Sequence, residues 1–136
     1  MKKVKSCGFL IIHRERQQFL LLKHHHRYDF PKGHVELGES DLECAFRELQ
    51  EETGITKEQV NADGFSCDIN YTTRYKRFGN RKVHKTVVIF LGWLKKDVDI
   101  CVTEHPSFEW CPWPNKRKFT EKNIVKVLEK VEDYLH

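Results

Sequence analysis

The chain has 136 residues, 39% of them hydrophobic and 32% charged, with 7 glycines and 4 prolines. That length is one domain's worth on the usual scale of roughly 100–200 residues, and the composition excludes collagen-like, low-complexity and disordered chains. Lys and Arg outnumber Asp and Glu by 24 to 20, and the net charge of +4 permits an anionic partner without requiring one. No stretch approaches the roughly 18 consecutive apolar residues of a membrane-spanning helix. The basic start Met1–Lys5 leads only into the short apolar run Cys7–Ile12, with no small-residue cleavage site behind it, so no secretory leader is expected. Cys7, Cys44, Cys67, Cys101 and Cys111 are odd in number and lack a C-x-x-C pair. This argues against a disulfide framework or a zinc ribbon and fits a reduced, cytoplasmic setting. Without a repeat, a linker or a break in composition, residues 1–136 are expected to form a single domain.

In chain order, Val4–Ile12 and Phe19–Lys23 are apolar runs separated by the polar stretch His13–Gln18, which predicts strand, turn, strand. His24–His26 sit just before a turn and read as a solvated loop rather than a metal site. Phe30-Pro31-Lys32-Gly33 breaks the pattern and opens a loop expected to run to Glu39. Ser40 then starts a helix, with Glu43 as its capping-box partner, and Gly54 after Thr53 supplies a left-handed C-terminal cap. Phe65–Tyr75 and Val83–Leu94 are strand-like and pair as a hairpin about Lys76–Arg81. Phe108–Trp113 is a short aromatic strand. Thr120 is expected to cap a last helix in which Ile124, Val127, Leu128, Val131 and Leu135 recur at helical spacing. The predicted order is β, β, α, β, β, β, α, an α/β chain with helices against a mixed sheet.

The stretch from Gly33 to Ile55 carries the chemistry. On a helix, Leu42, Ala45, Phe46 and Leu49 share one arc and are expected to face the core. Glu48, Glu51 and Glu52 share the adjoining arc, because residues three and four apart are neighbours on a helix surface. Crowded carboxylates repel one another unless a cation lies between them, and hard oxygen donors suit Mg²⁺ or Mn²⁺ better than zinc. Arg47 precedes Glu51 by one turn and can steer its carboxylate. The spacing taken alone is first that of a solvated acidic face with the odd salt bridge, and the flanking residues change that reading.

Gly33, Glu39 and the run Arg47-Glu48-Leu49-Gln50-Glu51-Glu52-Thr53-Gly54-Ile55, at these separations, match the Nudix box at every specified position. By this pattern the chain resembles the Nudix hydrolase family. The resemblance implies the Nudix fold, a mixed β-sheet sandwiched between helices (α/β/α), and hydrolysis of a nucleoside diphosphate linked to another moiety by water attack on phosphorus. It implies that Glu48, Glu51 and Glu52 bind metal, that Glu48 also positions or deprotonates water, and that the Lys32 backbone carbonyl is a further ligand. Arg47 and Glu39 then orient the cluster. No covalent nucleophile is needed, since bound cations resolve the repulsion between carboxylates and polyphosphate.

Phe30-Pro31-Lys32-Gly33-His34-Val35 resembles the P-K-G-H-V run of the asymmetric diadenosine tetraphosphate hydrolases, in which Lys32 and His34 would reach the substrate phosphates. Glu104-His105-Pro106-Ser107-Phe108-Glu109-Trp110 resembles a second segment of that subgroup, in which Glu104 would be an extra metal ligand or the base; Trp110 is expected to pack in the core. Between them, Tyr71 to Lys85 interleaves aromatic and basic residues, so Tyr75 and Phe78 are candidates for stacking a base and Lys85 for a phosphate. Glu48, Glu104 and Arg47 are thus the candidate catalytic residues. The expected substrate is a small nucleotide, foremost diadenosine tetraphosphate split into ATP and AMP. An RNA 5′ end is the alternative within the same chemistry, and a non-catalytic nucleotide-binding module the alternative from another class. Neither a membrane nor DNA is an expected partner. The mild net charge conceals two opposed regions, an acidic box over residues 36–58 and an excess of cations in the later hairpin and before the last helix.

Overall fold

Strand β1 (Lys2–His13) is exposed at its start and buried from Ser6 onward, the near-continuous burial of a central strand covered on both faces. It runs parallel to β6 (Arg81–Leu94) from Lys2↔Val83 to His13↔Leu94. The computed structural model describes residues 1–103 and 107–136. Strand β2 (Gln18–His24) turns back beside β1, yet the two pair only at Ile12↔Phe19 and His13↔Gln18 before diverging. Two three-residue strands fill the opening: β3 (Arg27–Asp29) along β2, and β4 (Lys32–His34) along β1. This entry of chain against β1 is why residue 8 is glycine, since a Cβ there would lie 2.2 Å from the Pro31 carbonyl oxygen. On the other side, β5 (Val60–Tyr75) pairs antiparallel with β6, and β7 (Ser107–Pro112) lies along β2. The sheet runs β3-β2-β1-β6-β5, with β4 on β1 and β7 on β2.

Helix α1 (Asp41–Thr53) begins as its sequence dictates. Ser40 Oγ accepts from the Glu43 N–H at 3.1 Å, Glu43 Oε1 accepts from the Ser40 N–H at 2.8 Å, and Gly54 closes the helix at φ 81°. Its buried Ala45 and Leu49 pack with Cys7, Phe9 and Ile11 of β1. Helix α2 (Lys122–Leu135) covers the opposite face, where Ile124, Val127, Leu128 and Val131 meet Leu10, Ile12, Ile89 and Leu91. Each such aliphatic side chain, fully buried, stabilises the fold by about 1.5–3 kcal/mol. The result is the expected α/β/α sandwich.

Several details differ from the sequence reading. Residues 32–34 are strand rather than loop, because β1 offers a free edge there. Strand β5 starts at Val60, its register shifting between Ala62 and Ser66, where Gly64 takes φ 92°. The last strand stops at Pro112, one residue before the predicted end. Glu121, not Thr120, stands at the N-cap of α2, and its carboxylate goes to the Tyr28 N–H at 2.5 Å instead of capping its own helix. Leu42, expected in the core, is 37% exposed because it lies on the first turn of α1, outside the packed stretch.

Candidate active site

Pairing of β4 with β1 (Ser6↔His34, Cys7↔Gly33, Gly8↔Lys32) decides the geometry of the site. Successive strand residues point to opposite faces, so Lys32 and His34 face the α2 side while Gly33 faces α1. A Cβ on Gly33 would sit 2.1 Å from Glu48 Cδ and within 2.3 Å of both carboxylate oxygens. The missing side chain is the seat of the Glu48 carboxylate.

Arg47 organises the rest of the acidic face. Its Nε donates to Glu39 Oε2 at 2.6 Å and its Nη2 to Glu39 Oε1 at 3.0 Å, a bidentate pair. Nη1 donates to Glu48 at 2.9 Å and Glu51 at 3.2 Å, and Nη2 also reaches the His34 carbonyl at 3.0 Å. The guanidinium thereby ties the loop before α1, the helix and β4 together, and its hydrogen bond holds the Glu39 carboxyl down to about 2. Spacing pointed to Glu51 as its partner; the tighter partner is Glu39.

Glu52 is 7% exposed, and its Oε1 accepts from the Lys32 N–H at 2.9 Å. Burial first, then the charges of Glu48 and Asp29, push its carboxyl up to about 8. A buried acid beside a second carboxylate, on a face opened by a glycine, is a donor set suited to a hard cation. Glu51 is more open, with a side chain 57% exposed. Among the described residues, no three His, Cys, Asp or Glu side chains already converge as a cation cage. Glu104 lies outside the described residues. The segment before it is sewn to the end of α1, where Cys101 N–H donates to the Thr53 carbonyl and Thr103 Oγ1 to the Glu51 carbonyl, both at 2.9 Å.

The α2-facing side gathers the predicted substrate residues. His34 Nε2 lies 3.2 Å from the Tyr75 hydroxyl, and Lys85 Nζ stands 5.4 Å from the Tyr75 ring centre. Tyr75 and Phe78 stack with centroids 5.9 Å apart, 6° from parallel, and Arg77 covers both rings. Burial, followed by the charges of Lys85, Arg77 and Lys32, lowers the His34 pKa, favouring neutral imidazole. Lys32 departs from this group. Its ammonium pairs with Asp29 Oδ2 at 2.8 Å and lines a cavity of about 260 Å³ between the sheet and α2, with Arg27, Tyr71, Lys122 and Asn123. Asp29 and Asn123 carried no motif and went unread in the sequence; only the return of α2 over β3 and β5 brings them together. Trp110 is half-buried against the α1-side core, as expected.

The NUDIX domain model matches residues 3–130. The asymmetrical bis(5′-nucleosyl)-tetraphosphatase of Rattus norvegicus is 38% identical over 121 residues, covering 79% of this chain and 78% of its own. The protein of the same name from Caenorhabditis elegans is 36% identical over 140 residues, covering 97% and 96%. Among solved structures, a C. elegans Ap4A hydrolase binary complex aligns with TM-score 0.79 at 29% identity over 97% of both chains. A MutT protein from Methanosarcina mazei Go1, at TM-score 0.74 and 23% identity over 98% of this chain and 95% of its own, shares the fold.

Proposed function

Because the chain belongs to the Nudix family, we propose that it is a pyrophosphohydrolase that splits diadenosine tetraphosphate asymmetrically into ATP and AMP. The observation that carries this reading is the two-sided use of β4. Gly33 opens one face to the Glu48 carboxylate, while His34 on the other meets Tyr75 beside Lys85. A polyphosphate crossing β4 therefore has its phosphorus near carboxylates and its base and outer phosphates near an aromatic ring and cations. The names of the rat and C. elegans relatives support this choice of substrate.

Glu48, Glu51, Glu52 and the Lys32 carbonyl would hold a divalent cation, Mg²⁺ or Mn²⁺, with Glu104 as a further ligand. When bound, it supplies charge neutralisation along the phosphates and a more acidic water. Glu48, fixed by Arg47, orients the attacking water and takes its proton on a carboxylate oxygen; Glu104 is the other candidate base. The water oxygen bonds to phosphorus as the bridging P–O bond breaks, and the leaving phosphate takes that electron pair. Lys85 and neutral His34 bind phosphate oxygens, and Lys32 offers an ammonium at the cavity edge. Tyr75, backed by Phe78, stacks an adenine.

The test is a panel with Mg²⁺ of diadenosine tetraphosphate, ATP, dGTP analogues, nucleotide sugars and triphosphorylated RNA. Fast release of ATP plus AMP from the first supports the proposal, and preference for another member overturns it. The RNA 5′ end is the second reading, favoured by the exposed Lys76, Arg77, Arg81 and Lys82 at the hairpin tip. Contacts to several RNA phosphates would give a steep loss of affinity with salt. Metal-dependent turnover eliminates a purely binding module. No helix among the described residues is long and apolar enough to cross a membrane, and a cytoplasmic location is part of the proposal, checked by cell fractionation.

A further inference from the structure

Lys32 is held at both ends. Its backbone N–H donates to Glu52 Oε1 at 2.9 Å, and its ammonium donates to Asp29 Oδ2 at 2.8 Å, the side chains of Lys32 and Asp29 being only 19% and 23% exposed. The other Asp29 oxygen accepts from the Phe30 N–H at 2.9 Å, so the carboxylate is itself fixed at the end of β3. A lysine is a compact charge on a flexible stem and follows the negative charge within reach. Asp29 is the carboxylate this ammonium is bonded to, while the Glu52 carboxylate, held on the main chain of the same residue, belongs to the candidate metal cluster. An ammonium turned onto Glu52 would occupy donor capacity that a divalent cation needs.

We propose that Asp29 is a positioning residue that keeps the Lys32 ammonium out of the carboxylate cluster and presents it at the cavity between the sheet and α2. The inference rests on the metal-site reading of Glu48 and Glu52 above. Asp29 takes one of the three ammonium donors and leaves the others for a phosphate oxygen. One lysine can then serve both sides of β4, its main chain facing the carboxylates and its ammonium facing the substrate. The carboxylate matters for its charge, since its bond to the Phe30 N–H can be made equally by an amide oxygen.

The experiment is substrate-free Mn²⁺ binding by the full chain, read as loss of the free Mn²⁺ signal in electron paramagnetic resonance. Wild type is compared with Asp29→Asn, Lys32→Met and the double variant. Asp29→Asn should weaken Mn²⁺ binding roughly tenfold, Lys32→Met should leave it near the wild-type level, and the double variant should return to the Lys32→Met level. That non-additivity distinguishes a released ammonium from a merely disturbed loop. Wild-type affinity in Asp29→Asn, or a double variant as weak as Asp29→Asn, overturns the inference. If Asp29→Asn does not fold, Asp29→Ser, whose hydroxyl also accepts from Phe30, carries the same expectation. Absence of Mn²⁺ binding by the wild type overturns the metal-site reading together with this inference. Wild-type binding of Mn²⁺ without hydrolysis of diadenosine tetraphosphate overturns the substrate reading alone, and the Mn²⁺ comparison still decides the role of Asp29.

Discussion

Gly33→Ala adds one carbon to the chain at the place where the two faces of β4 part. That carbon would lie 2.1 Å from Glu48 Cδ and 2.2 and 2.3 Å from its oxygens. Non-bonded contacts are comfortable near 3.5 Å, so the carboxylate must retreat by roughly 1.4 Å. The backbone has little room to yield, since Gly33 is paired to Cys7 on the buried central strand. Retreat also strains the 2.9 Å bond from Arg47 Nη1. A misplacement of about 1 Å at a reacting group costs on the order of 10²-fold in rate, and overpacking of this kind costs about 1–3 kcal/mol of stability. With saturating Mg²⁺, ATP and AMP formed from diadenosine tetraphosphate are resolved by anion-exchange chromatography, giving kcat and KM separately, while a thermal melt reports folding. A folded variant should lose roughly 100-fold in kcat and keep KM within about threefold, because Tyr75, His34 and Lys85 lie on the face that the methyl group does not touch. Wild-type kcat, or a loss confined to KM, would refute the assignment of Glu48 to the chemical step.

Three further outcomes are expected. Glu48→Gln should lower turnover by about 10²–10⁴-fold while calorimetric nucleotide binding stays close to wild type; loss of binding and folding together would show that its role is structural. Tyr75→Ala should raise KM by roughly 5- to 150-fold, corresponding to about 1–3 kcal/mol of stacking, whereas Tyr75→Phe keeps the ring and should lose far less; equal losses would point to the hydroxyl–His34 contact instead. The folded Glu39 carboxyl is held down to about 2 from an ordinary 4.5 by Arg47, so the stability it contributes is complete above about pH 4.5 and disappears as pH falls toward 2. Arg47→Gln should flatten that acid limb in melting temperature recorded across it; an unchanged limb would mean that other carboxylates govern acid unfolding.

Local signals in the sequence carried well where the structure depends on near neighbours. Ser40 and Glu43 make the capping box through their own backbones, Gly54 ends α1 in the left-handed conformation, and the apolar residues of α2 meet the sheet at their helical spacing. The box residues Gly33, Glu39, Arg47, Glu48, Glu51 and Glu52 were all legible as a set. Legibility failed where a distant segment intervened. Strands of three residues, such as β3 and β4, have too few positions to show a period, and they form because β1 and β2 diverge and leave edges unpaired. Glu121 rather than Thr120 stands at the N-cap of α2, and its carboxylate accepts from the Tyr28 N–H, 93 residues earlier, a contact that no local signal announces.

The sequence by itself determined that three glutamates share one face of a capped helix, behind a glycine-containing loop and before a basic, aromatic hairpin. It could not say which way each side chain turns. The register of β4 on β1 decided that, aiming Gly33 at Glu48 and placing His34 against Tyr75. The close of α2 over the sheet then gave the Lys32 ammonium, already paired with Asp29 three residues earlier, a cavity to line. Helical spacing is written in neighbours along the chain, but the facing of a short strand depends on its partner, and that partner lies elsewhere in the sequence.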